Sequence, residues 1–213
     1  MRTFNSNRSY SESVGGSMKI YTKEVYPLQG GFQVDAADLP LVGNVLPAGT
    51  PIKCDDTDNK KATVHYAFQV LEDVDATHIK VKKYGENVLA KVGMFLMKAP
   101  ATATTTGQGY EITGIDSSDA EFDILTMSGD LGEAASDTLV ECVAEAADTT
   151  IKVLPNALSV ADVYVDAMAF DFGISGAFMS HGEVYQRRIS PIAPAIKTYL
   201  RENEVYFRFS NSK

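Results

Sequence analysis

The stretch Thr77-His78-Ile79-Lys80-Val81-Lys82 alternates polar and apolar side chains residue by residue. A period of two puts Ile79 and Val81 on one face of an extended chain and His78, Lys80 and Lys82 on the other, the pattern of a half-buried β-strand. The same period runs through Glu121-Phe122-Asp123-Ile124, Phe170-Asp171-Phe172-Gly173-Ile174 and Val205-Tyr206-Phe207-Arg208-Phe209. It predicts inward-facing Phe122 and Ile124, and core positions at Phe170, Phe172, Phe207 and Phe209. Turn formers such as Asp55-Asp56-Thr57-Asp58-Asn59 and Asp116-Ser117-Ser118-Asp119 lie between the strands. One helix is expected from Ala195 to Asn203, behind Pro191 and Pro194, where Ile196, Tyr199 and Leu200 fall at i, i+3 and i+4. Residues 132–147 are rich in Ala and Glu, but Ser136-Asp137-Thr138 interrupts them, and residues 138–143 read as a strand. The fold class is mainly β, a β-sandwich or barrel with one short C-terminal helix.

Gly49, Gly93 and Asp137 stand 44 residues apart, each ahead of a short apolar segment. These residue types tolerate the positive φ of a tight turn leading into a strand. Phe68-Gln69-Val70, an acidic turn, then Ile79 and Val81 parallels Tyr110-Glu111-Ile112, an acidic turn, then Phe122 and Ile124. The reading is a weak internal repeat of strand–turn–strand–turn–strand units.

At 213 residues, with 45% hydrophobic and 22% charged residues, the chain can bury a core without disulfides or metal. No apolar run is long enough to cross a membrane as a helix, and the start lacks the apolar region of a secretory signal. Cys54 and Cys142 are far apart and outside metal-ligand spacing, which points to a reducing compartment. Residues 1–20 form a polar arm, rich in Ser, Asn and Gly up to Met18, expected to order only against a partner. Residues 21–213 form the β-rich body, with a possible sub-boundary near 155–160.

Catalytic patterns are lacking. His65, His78 and His181 are scattered, no phosphate cradle or nucleophile elbow occurs, and Cys142 falls inside an apolar strand. The chain is therefore expected not to be an enzyme, and no cofactor or metal is expected. Asp55, Asp56 and Asp58, and then Asp116, Asp119, Glu121 and Asp123, lack the order of a calcium loop and read as solvated turns.

A net charge of −9 opposes general nucleic-acid binding, but the charge is segregated. Residues 101–150 hold acids from Glu111 to Asp148 and no Lys or Arg. Lys80, Lys82, Lys83, Lys91 and Lys98 precede them, and Arg187, Arg188, Lys197, Arg201, Arg208 and Lys213 follow. Two outcomes are open: the patches dock on other charged surfaces, or they neutralise each other inside the fold. In the second case Lys80 and Lys82 would face Glu121 and Asp123 across paired strands.

The segments Val45-Leu46-Pro47-Ala48-Gly49-Thr50-Pro51-Ile52 and Leu89-Ala90-Lys91-Val92-Gly93-Met94-Phe95-Leu96 resemble strand-leading motifs of phage head-decoration and head-fibre proteins. The run from Tyr110 to Asp116, the Pro155-Asn156-Ala157-Leu158 turn and the ending from Gly182 to Phe209 add to the likeness. The chain is most similar to head-fibre or auxiliary capsid proteins of crAss-like and related Bacteroidetes phages. The resemblance implies a structural virion protein on the outer capsid surface, assembled in the host cytoplasm. Its partners would be the major capsid protein and neighbouring virion proteins, with no nucleic acid or membrane and with a possible homo-oligomer. Arg2, Arg8, Arg187 and Arg188 are the candidate capsid contacts. The alternative is an adhesin module binding host glycans through Tyr84, Tyr164 or Tyr185.

Overall fold

A computed structural model describes residues 21–210 except 29–31, 35, 42, 56, 58–60, 85–86, 166–173 and 177. The arm before Tyr21, and with it Arg2 and Arg8, lies outside the described residues, as do Phe170 and Phe172. The chain is mainly β, as its alternation requires.

Six consecutive strands close an antiparallel barrel: β6 (Ala67–Asp75), β7 (His78–Lys82), β8 (Phe95–Lys98), β9 (Gly109–Asp116), β10 (Phe122–Met127) and β11 (Thr138–Glu141). Around the barrel the order is β10-β7-β6-β11-β8-β9. The two similar hairpins, β6–β7 and β9–β10, lie side by side through the β7–β10 pair.

The barrel is an insertion within a second layer. An eight-stranded sheet takes β1 (Tyr21–Pro27), β2 (Phe32–Val34), β4 (Pro51–Asp55) and β5 (Lys61–Val64) from before it. From after it come β12 (Ala157–Ser159), β14 (Ile174–Gly176), β15 (Phe178–Tyr185) and β16 (Phe207–Ser210). A short ribbon pairs β3 (Val45–Leu46) with β13 (Val163–Tyr164). One buried cluster joins sheet residues such as Phe32 and Ile52 to barrel residues such as Ile79 and Leu125. A second packs Met97, Val140 and Cys142 against Ile192, Ile196 and Leu200 of the C-terminal segment. Residues 155–160 run through β12, all three of whose residues are buried.

The turn spacing has a clear structural counterpart. Thr50 N donates to Pro47 O (3.2 Å) and Met94 N to Lys91 O (3.1 Å), with Gly49 at φ 82° and Gly93 at φ 90°. Positive φ at the third turn position is what a type II turn needs, and Gly supplies it without a Cβ penalty. In the third copy the turn is displaced by one residue. Asp137 N donates to Ala134 O (3.0 Å), and Ser136, not Asp137, takes φ 76°. Asp137 instead accepts the Ala134 N–H through its own carboxylate (2.8 Å).

Strand β7 buries Ile79 and Val81 as its alternation predicts. Strand β10 does the reverse of the expectation: Asp123, Leu125 and Met127 point inward, while Phe122 and Ile124 are half-buried outside. Pairing decides this. Leu125 faces Ile79 and Asp123 faces Val81, so these side chains share the inner face. On the outer face Lys82 faces Phe122 and Lys80 faces Ile124, with the Lys80 ammonium 3.9 Å from the Phe122 ring centroid. Lys80 and Lys82 therefore do not face Glu121 and Asp123 across strands.

The inward carboxylate is held by Lys83, next after β7. Its Nζ lies 3.2 Å from Asp123 Oδ1, and the two side chains are 5% and 6% exposed. The same ammonium donates to the carbonyls of Ser117 (2.9 Å) and Asp119 (2.5 Å). Removing one partner of a buried pair leaves an uncompensated charge, costing about 3–5 kcal/mol. Lys83→Met should lose stability of that order in urea denaturation, and the double variant Lys83→Met/Asp123→Leu should regain much of it.

Candidate functional site

The helix α1 (Pro194–Glu202) begins one residue before the expected span, with Pro at its first position, where a missing N–H costs nothing. It buries Ala195, Ile196 and Leu200 on one stripe. Beyond it Val205 N donates to Leu200 O (2.9 Å) and Glu204 takes φ 63°, turning the chain back. Strand β16 then adds in parallel to β15, Phe207 opposite Gly182 and Phe209 opposite Val184.

Between α1 and β16 opens a cleft of about 280 Å³. Leu200, Val205, Phe207 and Phe209 line it, so the two phenylalanines expected in the core are half-buried cleft walls instead. Their rings stand 6.3 Å apart. Lys197, Arg201 and Arg208 also line the cleft. The Lys197 ammonium sits 5.0 Å from the Phe209 ring centroid, and burial draws its pKa below the ordinary lysine value. Arg208 approaches Glu183 at 3.7 Å with 80% of its side chain exposed, a weak contact. Lys197 and Arg201 are like charges at i, i+4, which costs the helix a few tenths of a kcal/mol. The cleft was not foreseen from the sequence; its one local signal is that spacing followed by the alternating aromatics of β16. In the turn after β15, Arg187 is exposed, and the Arg188 guanidinium stacks 4.5 Å from the Tyr185 ring centroid.

The two basic segments have different fates. The earlier one is largely consumed inside the fold. Lys83 pairs with Asp123, Lys98 with Asp137 (2.8 Å) and Lys80 with Glu72 (3.6 Å), while Lys91 donates to the carbonyls of Ala37 and Leu39 (2.8 and 3.2 Å). Lys152 takes the buried Glu141 (2.7 Å). The later segment is not neutralised this way: among the described residues Arg187, Lys197 and Arg201 make no ion pair.

The remaining candidates do not converge. Cys54 and Cys142 are buried and not joined in a disulfide, and burial pushes the Cys142 thiol up to about 11. His78 bonds Asp75 (2.9 Å); the Thr77 N–H and then that imidazole hold the exposed Asp75 carboxyl down near 2. His181 lies against exposed Tyr206, ring centroids 5.4 Å apart. Among the described residues no three His, Cys, Asp or Glu gather as metal ligands, and no helix is long and apolar enough to cross a membrane. Within the second acidic cluster the Lys83 ammonium takes the carbonyl oxygens and carboxylate that a bound cation would want. Asp56 and Asp58 of the first cluster lie outside the described residues. Of the three tyrosines, Tyr164 is 62% exposed, Tyr185 is half-buried under Arg188, and burial pushes Tyr84 up to about 12.

Comparison with protein-family models, with characterised proteins and with solved structures finds no match to this chain.

His65 is fully buried; its Nδ1–H donates to Val153 O (2.6 Å), and Nε2 has no partner among the described residues. Burial lowers its pKa to about 4 from 6.5, against the opposing pull of the Val153 carbonyl. Protons thus bind the unfolded chain more tightly. The stabilisation is whole above pH 6.5, declines as pH falls, and is gone below about 4, amounting to about 3 kcal/mol. Urea denaturation of wild type and His65→Gln across that window should show a difference that shifts by this amount in favour of the variant at low pH.

Proposed function

We propose that this chain is a non-catalytic structural protein of a phage head, bound to the outer face of the shell through the major capsid protein. The observation that carries the reading is the partition of charge. On a chain of net charge −9, Arg187, Arg201 and Arg208 stay exposed, while Lys80, Lys83 and Lys98 before the acidic stretch pair with acids of the barrel segment. Exposed cations on an acidic body set orientation and partner choice at an interface and speed encounter with an acidic surface. The contact falls on Arg187 and Arg188 together with Arg2 and Arg8 of the arm, and many copies on one shell supply avidity. Placement outside the shell suits the acidic body, which would repel packaged nucleic acid. The protein would fold in the host cytoplasm and act on the virion.

A glycan-binding role needs an aromatic platform, and of its three named tyrosines only Tyr164 is presented openly.

The test is co-sedimentation of the purified protein with heads assembled from the major capsid protein. Binding should saturate, weaken between about 0.05 and 0.5 M salt, and fall about tenfold or more for Arg187→Glu/Arg188→Glu. Absence of binding, or binding indifferent to both salt and charge reversal, overturns the reading.

A further inference from the structure

The cleft between α1 and β16 combines an apolar floor with Lys197 and Arg201, which make no ion pair among the described residues, and with Arg208, held only by the exposed 3.7 Å contact to Glu183. Its complement stands elsewhere on the same chain. Residues 143–148 form a loop in which Val143 is 58% exposed and Glu145 and Asp148 are exposed. Among the described residues neither acid makes an ion pair, and no Lys or Arg occurs anywhere between residues 101 and 150.

The loop is held in place before any partner arrives. Val143 N donates to Thr150 O (3.0 Å), Gly109 N to Ala146 O (2.9 Å) and Ala144 N to Thr149 Oγ1 (3.2 Å). Ser128 Oγ donates to Glu145 Oε1 (3.0 Å), fixing one acid. The loop presses so closely on β9 that a Cβ at Gly109 would lie 2.6 Å from Ala144 O. An apolar and acidic projection of fixed shape thus accompanies an apolar and basic recess of fixed shape, and preformed surfaces lose little conformational freedom on docking.

We propose that the 143–148 loop of one copy docks in the α1–β16 cleft of a second copy, Val143 meeting the Phe207 and Phe209 walls and Glu145 and Asp148 meeting Arg201 and Arg208. The chain's own arm is a poor occupant: residues 1–20 carry Arg2, Arg8 and Lys19 against Glu12. The contact is heterologous, since loop and cleft are different surfaces. Each docked copy therefore leaves one loop and one cleft open for the next, and the chain of copies closes into a ring or runs on. This pairing does not depend on capsid binding, which was placed on Arg187 and Arg188.

Sedimentation velocity on the full chain tests it with two variants altered at exposed positions only, their folding checked by thermal unfolding. One carries Arg201→Glu and Arg208→Glu in the cleft; the other carries Glu145→Lys and Asp148→Lys in the loop. Wild type should grow in mass with concentration between about 1 µM and 1 mM, and each variant alone should need about tenfold more protein or above. An equimolar mixture should associate again, because the intact loops of the first variant meet the intact clefts of the second. Wild type remaining a monomer throughout, either variant associating like wild type, or a mixture no better than its components overturns the proposal.

Discussion

The ammonium of Lys83 is the constraint on which the barrel depends. A closed six-stranded barrel must join β10 to both β7 and β9, and the register that achieves this turns Asp123 inward. An unpaired carboxylate there would cost more than its strand pairing contributes. Lys83 carries the compensating charge from the end of β7 and also gathers the carbonyls of the β9–β10 turn. One side chain thereby neutralises the interior, stitches the turn and fixes the register of three strands. Within so acidic a turn it supplies a cation of the fold's own.

Electrostatics elsewhere follow the same division between what the fold spends and what it displays. Lys98, Lys91 and Lys152 serve Asp137, the carbonyls of residues 37 and 39, and Glu141. Lys197 and Arg201 lie on α1 and Arg208 on β16; α1 packs on barrel residues through Ile196 and Leu200, and among the described residues none of these cations pairs with an acid of the 101–150 stretch. The surface is thus polarised although the sequence has acids to spare.

Much of the fold was legible because it is local. The alternation of residues 77–82 and the Pro194-led helix with Ile196 and Leu200 follow from neighbouring side chains alone. The phase of β10 did not, since apolar residues occupy both of its faces between Phe122 and Met127, and only the partner strand chooses between them. The one-residue slip in the third turn has a similar origin: Asp137 caps the turn with its side chain, so Ser136 takes the left-handed position. The separation of spent from displayed lysines rests on pairs such as Lys83–Asp123, forty residues apart, which no window along the chain can see. The cleft likewise needed the parallel return of β16 onto β15, which no local pattern announces.

That parallel return has a consequence for the order of assembly. The barrel arises from one continuous segment whose hairpins close over short loops, whereas the outer sheet must bring β1 to β15 and β4 to β12 across the whole of that insertion. Contacts between distant segments bear the larger loop-closure entropy and form late. Strand β16 can pair only once β15 is formed, and α1 can seat only on formed barrel strands. The recess it forms with α1 is therefore a signature of completed folding. A chain stalled at any earlier stage would carry the acidic loop yet offer nothing for a neighbour to enter, so incomplete copies would end a growing row and not extend it.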